Sequence, residues 1–164
     1  MKLKLLSFLL VLCSAQSLFA MNLVGRLGIG YSNQVVTGMD TLSVKLQRNR
    51  ANGFGALLGV DSSSDASNYA LGLKAYRVIY DEPQLNFYSA FSGIFFTYQD
   101  PDDTDKTENG YQIEGAFGTE FSFQGLESIG FSFEFGLGMN KYNGATNVGT
   151  VGHGVLTSAV HFYL

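Results

Sequence analysis

Hydrophobic and polar residues alternate one for one along residues 129–140, IGFSFEFGLGMN. Ile129, Phe131, Phe133, Phe135, Leu137 and Met139 share one parity; Gly130, Ser132, Glu134, Gly136, Gly138 and Asn140 share the other. Side chains alternate faces along a strand, so the spacing predicts a strand with one apolar face and one small or polar face. A helix would scatter these residues around its circumference.

Seven further segments repeat the pattern. In 23–32, Leu23, Leu27, Ile29 and Tyr31 oppose Arg26, Gly28 and Gly30. In 41–48, Leu42, Val44 and Leu46 oppose Ser43, Lys45 and Gln47. In 53–61, Phe54, Ala56, Leu58 and Val60 oppose Gly55, Leu57 and Gly59. A fourth segment sets Tyr69, Leu71, Leu73, Ala75 and Ile79 against Gly72, Lys74 and Tyr76. The fifth, 85–98, is the least regular, with apolar residues on both faces around SGIFF. In 111–123, Tyr111, Ile113, Phe117, Phe121 and Phe123 oppose Gln112, Glu114, Gly118, Glu120 and Ser122. The last, 154–164, sets Leu156, Val160, Phe162 and Leu164 against Thr157, Ala159, His161 and Tyr163.

The connections alternate too. Short turns follow the second (NRANG), fourth (DEPQ) and sixth (QGLE) segments; longer polar loops follow the first (NQVVTGMD), third (DSSSDASN), fifth (QDPDDTDKTENG) and seventh (NKYNGATNVGT). This arrangement gathers short turns at one end of a sheet and long loops at the other, as in bacterial outer-membrane barrels. Aromatic residues mark both ends: Tyr31, Tyr69, Tyr98, Tyr111 and Tyr142 by the long loops, and Phe54, Tyr80, Phe87, Phe123, Phe162 and Tyr163 by the short turns. Such rings favour a membrane–water boundary.

The apolar faces are bulky and the opposite faces small, which decides which side is inside. An eight-stranded barrel has an interior just wide enough for side chains to fill. Glycine and a few charges suit that interior; phenylalanine suits lipid. The inward set carries Glu114, Glu120 and Glu134 against Arg26, Lys45 and Lys74. Glu120 and Glu134 are diagonal neighbours across a short turn, and adjacent buried carboxylates need cations. A lumenal network joining them to Arg26, Lys45 or Lys74 is expected. Arg48 and Arg77 have the outward parity, beside short turns, where a long cation can snorkel to headgroups; a bulge near Tyr76 would also account for Arg77.

Composition narrows the class. The chain has 164 residues, 46% hydrophobic, which suits one domain. Residues 1–20, MKLKLLSFLLVLCSAQSLFA, have a secretory signal: two lysines, a short Leu-rich core, then small residues. Cleavage is expected near Ala20, with Ala15 the alternative because Leu18 is large for its place. Cys13, the only cysteine, leaves with the signal, and Leu12 stands where a small residue should precede a lipidated one. The mature domain, 21–164, therefore has neither disulfide nor thiolate nucleophile. Removing Lys2 and Lys4 from the ten basic residues leaves eight against fourteen acidic, a net charge of −6. Nucleic acid, which needs a basic footprint, is thereby excluded as a partner. No later apolar run approaches a membrane-spanning helix.

Candidate chemistry is sparse. Ser158 and His161 fall on opposite faces and His153 lies near the outer rim, so no hydrolase set assembles. Asp100, Asp102, Asp103, Asp105 and Glu108 form an acidic outer loop; its calcium-loop likeness fails because Glu108 stands where glycine is required. No metal site, cofactor or catalytic set is expected.

The ending SAVHFYL and the segment GAFGTEFSFQGLESIGFSFEFGLG resemble the small eight-stranded outer-membrane barrels, the class of OmpX and the OmpA transmembrane domain. The likeness spans 21–164. It implies an all-β, eight-stranded antiparallel up-and-down transmembrane barrel in a bacterial outer membrane. Outer-membrane lipids, lipopolysaccharide and, during insertion, the barrel-assembly machinery are its implied partners. The expected role is structural or surface-interacting, with the lumen plugged and any surface partner met by the third and fourth long loops. Alternatives are a secreted lipocalin-like barrel binding an apolar ligand, or a narrow channel.

Overall fold

Alternating sequence becomes antiparallel ribbon almost throughout. The computed structural model describes residues 23–62, 67–100, 103–142 and 144–164; the expected signal 1–20, its cleavage points at Ala15 and Ala20, and Asp102 lie outside them. The strands are β1 (Leu27–Ser32), β2 (Thr41–Gln47), β3 (Asn52–Ser62), β4 (Ser67–Glu82), β5 (Leu85–Asp100), β6 (Asp103–Phe121), β7 (Ile129–Tyr142), β8 (Ala145–Thr150) and β9 (Thr157–Tyr163). Neighbours from β1 to β7 pair antiparallel in sequence order, and β9 pairs with both β7 and β1. Eight strands thus close a ring, which removes the free edges an open sheet would leave.

β8 lies outside that ring. It pairs with Leu137–Tyr142 of β7, along the same side on which β9 pairs with Ile129–Glu134. The segment 140–150, expected as a loop, is therefore the tip of a hairpin, and the closing strand starts at Thr157 rather than at 154. At two other expected loops, pairing among the described residues runs further than the alternation does. β3 and β4 stay paired to Ser62–Ser67, and β5 and β6 to Asp100–Asp103. Asp100, Asp103, Asp105 and Glu108 consequently lie in the paired arms of a hairpin. A ladder satisfies every backbone donor it extends through, and Thr97, Tyr98 and Thr107 favour extended backbone, so pairing outlasts the apolar pattern. Beyond Ala70 and Phe96, where the β4–β5 ladder ends, side chains take over: Tyr69 N donates to Thr97 Oγ1 (2.8 Å) and Gln99 N to Asn68 Oδ1 (2.8 Å).

The apolar faces point outward. Leu71 and Leu73 on β4 and Phe91 and Phe95 on β5 are all more than half exposed, and Phe121 of β6 stacks on Phe131 and Phe133 of β7. The opposite face fills the ring with Ser43, Lys45, Lys74, Tyr76, Tyr88, Ser92, Glu114, Glu120 and Glu134. A bulge interrupts β4 between Val78 and Tyr80, past the expected site at Tyr76; Arg77 precedes it and keeps its outward parity. The bulge sets Tyr80 opposite Phe87, both outward.

Two segments expected elsewhere pack inward. Residues 33–40, expected as a surface loop, bring Val35 and Met39 into the lumen against Leu57, Ala70, Ile94 and Phe96. This accounts for the irregular fifth segment: Ile94 and Phe96 face inward because loop one gives them apolar neighbours there. Leu23, expected on the outer face, is buried against Tyr163. Tyr98 and Tyr142 pack over the apolar cluster, and Tyr163 points into the lumen, so these three leave the expected outer bands.

Candidate functional site: the barrel lumen

Lumenal parity brings the buried charges together, and cross-strand register decides which of them meet. Lys45, Lys74, Glu114, Glu120 and Glu134 are each no more than 6% exposed. Lys45 Nζ donates to Glu120 Oε2 at 2.6 Å, and Lys74 Nζ to Glu134 Oε2 at 2.5 Å. The second oxygen of each carboxylate accepts a phenol: Tyr163 Oη donates to Glu120 Oε1, and Tyr88 Oη to Glu134 Oε1 at 2.7 Å. The same Lys–Glu–Tyr arrangement is therefore built twice. A buried ion pair is tolerated only when its remaining hydrogen-bonding capacity is met, and here both carboxylate oxygens are occupied.

The cations are also cradled by rings. Lys45 Nζ lies 4.4 Å from the Tyr76 ring centroid and 4.8 Å from that of Tyr88, and Lys74 Nζ lies 5.3 Å from Tyr76. Small residues make the space. A Cβ at Gly118 would come within 2.7 Å of both Glu134 and Tyr88, and one at Gly130 within 2.8 Å of Glu120.

Glu114 is held differently. Among the described residues no lysine pairs with it; instead Gln34 Nε2 (2.7 Å), Gln112 Nε2 (2.5 Å), Ser92 Oγ (3.2 Å) and the Gly152 N–H (2.6 Å) donate to its carboxylate. Lys74 also donates to Gln34 Oε1 at 2.6 Å, so one continuous chain of bonds runs Glu134–Lys74–Gln34–Glu114. Gln112 fixes loop one by donating to Gln34 O (3.0 Å) and accepting from Val36 N (2.8 Å).

Arg26, expected among the lumenal charges, sits at the short-turn rim. Its guanidinium donates to Tyr163 O (2.7 Å), Ser128 Oγ (3.1 Å) and Glu127 O (3.3 Å). The reason is local: Arg26 precedes the first laddered residue, Leu27, so its side chain meets the free carbonyls of the β6–β7 turn and the chain end. Sequence reasoning missed Tyr88, Gln34 and Tyr163 as members of the network. Tyr163 had lumenal parity, a usable signal; Gln34 lay in a polar loop and gave none.

His161 is buried, with Nε2 2.9 Å from Ser43 Oγ, while His153 Nδ1 lies 3.1 Å from Val36 O at the far end. Ser158 holds loop one through its backbone N–H, which donates to Asn33 Oδ1 at 2.7 Å. The three do not converge on one another. The internal cavity bordered by His161, Ser132, Lys74 and Glu134 measures about 10 Å³, space for about one water molecule.

No family model and no curated protein matches the chain. Among solved structures, it is similar to the crystal structure of the N-terminal β-barrel domain of Pseudomonas aeruginosa OprF, with a TM-score of 0.62 at 10% sequence identity. The match covers 86% of this chain and 98% of that one. The shared property is the fold. Both are closed eight-stranded antiparallel barrels, so the resemblance to the small outer-membrane barrel class holds at the level of architecture.

Proposed function

We propose that this protein is an integral outer-membrane β-barrel with a structural or surface-interacting role, a plugged lumen and no catalysis. One observation carries the reading: the outside of the ring is rich in leucine and phenylalanine, while Lys45, Lys74, Glu114, Glu120 and Glu134 are buried along the axis. In water that arrangement would expose a continuous apolar band and bury charge for no gain; in a bilayer it is the stable one. Export through residues 1–20 belongs to the same proposal.

The plug has two parts, the Lys–Glu–Tyr layers and the apolar cluster around Val35 and Phe96. An internal cavity of about 10 Å³ argues against a lipocalin-like carrier, since organic ligands need roughly 300–1,000 Å³. Lipopolysaccharide and outer-membrane lipids would surround the barrel, the assembly machinery would recognise its last strand, and the β5–β6 and β7–β8 hairpins would present any surface contact. Outer-membrane fractionation with heat-dependent gel mobility tests this. The expected result is a protein that resists carbonate extraction and runs faster before boiling than after. Release by carbonate, or equal mobility in both states, would overturn the reading.

A further inference from the structure

On the outer surface near the short turns, the register sets side chains in two successive rows across β3, β4 and β5. Phe54, Ala75 and Phe91 make one row; Asn52, Arg77 and Ser89 make the next. A methyl between two benzyl groups leaves a hollow. Arg48, from the β2–β3 turn, joins Arg77 in lining it, and the space measures about 330 Å³. Phe54 and Phe91 are 51% and 61% exposed, so the walls face outward.

Neither guanidinium group makes a hydrogen bond or ion pair with any described residue. The nearest acids along β4 are Asp81 and Glu82, beyond the bulge, and Glu82 already accepts the Tyr80 hydroxyl at 3.0 Å. Two unpaired cations at the edge of an apolar surface call for an anion. Guanidinium suits phosphate because its N–H groups form a planar fork that matches two oxygens. A hollow walled by rings, with a floor of small residues and a cationic mouth, has the polarity of a phospholipid: acyl chain below, phosphate above.

We propose that this hollow binds one anionic phospholipid of the leaflet on the short-turn side. Its phosphate lies between Arg48 and Arg77, the polar rim is completed by Asn52 and Ser89, and an acyl chain runs over Ala75 between Phe54 and Phe91. The inference rests on the membrane reading above. Each basic residue near a bilayer surface strengthens anion attraction about five-fold, so two give a preference of about 30-fold over a zwitterionic lipid.

The test is native mass spectrometry of the full chain released from nanodiscs of mixed phosphatidylglycerol and phosphatidylethanolamine. One retained phosphatidylglycerol per barrel is expected. R48Q/R77Q should lose the preference, and A75F should lose retention with both arginines intact. R50Q, in the same turn but outside the hollow, should behave as the unmodified protein does. Equal retention of both lipids, or a loss in R50Q as large as in R48Q/R77Q, would overturn the site and leave the membrane barrel standing. A chain that fails to enter the nanodisc, with no heat-dependent mobility, would bring down the membrane reading and the lipid site with it.

Discussion

The two halves of the lumen are closed by different physics. Toward the short turns, Lys45, Lys74, Glu120, Glu134, Tyr88 and Tyr163 fill the axis with paired charge. Toward the long hairpins, Val35 and Met39 of loop one fill it with hydrocarbon against Leu57, Ile94 and Phe96. The ionic half depends on completeness, because one missing partner strands a buried charge. The apolar half depends on volume, and a loop can settle into lost volume where a strand in a closed ring cannot.

The largest expected effect is in the ionic half. Lys74→Met should cost about 3–5 kcal/mol, since it leaves Glu134 buried without its cation. Guanidinium unfolding of the protein in lipid vesicles measures it. K74M/E134Q should recover most of the loss, and a single variant within 1 kcal/mol of the parent would erase the contrast between the halves.

Phe96→Ala comes next, at about 3 kcal/mol in the same assay, the low end for a buried phenylalanine because Val35 and Met39 sit on a loop that can follow. A loss exceeding that of Lys74→Met would reverse the ranking. Tyr88→Phe should cost about 2 kcal/mol by removing a hydrogen bond to a charged group, with Tyr163→Phe similar. A difference of several-fold between the two would show that the repeated arrangements are not equivalent.

The smallest effect sharpens the comparison by its absence. V35S/M39S loosens the upper half only, so planar-bilayer recordings should show no conductance while the ionic layers stand. Steady current from that variant alone would mean that the apolar cluster, not the charge layers, is the seal.

Much of this was legible in the chain. Strand parity placed Lys45, Lys74, Glu114, Glu120 and Glu134 on one face, and Phe117, Phe121, Phe131, Phe133 and Phe135 on the other, because period-two alternation admits only two sides. The turn between β6 and β7 fixed Glu120 opposite Ser132, as expected for a short connection. The partner choice was not legible. Lys45, Lys74 and Glu114 lie in one register row through Gly55 and Ser92, so level strands would put all three at one height. In a barrel the strands tilt and the row climbs, so Lys74 meets Glu134 and Lys45 meets Glu120, while Glu114 rises to Gln34. Loop one was equally opaque: NQVVTGMD has the composition of a surface loop, and only the folded ring offers Val35 the apolar neighbours Leu57, Ala70, Ile94 and Phe96.

By itself the sequence determined the faces of the ribbon, the order of its strands and the inversion of polarity, since these follow from alternation and from the bulk of each side chain. Only the tertiary structure decided height along the axis, which residues meet across the lumen, and which loop turns in. Those depend on strand tilt and ring closure, properties of the whole sheet that no local stretch of sequence encodes.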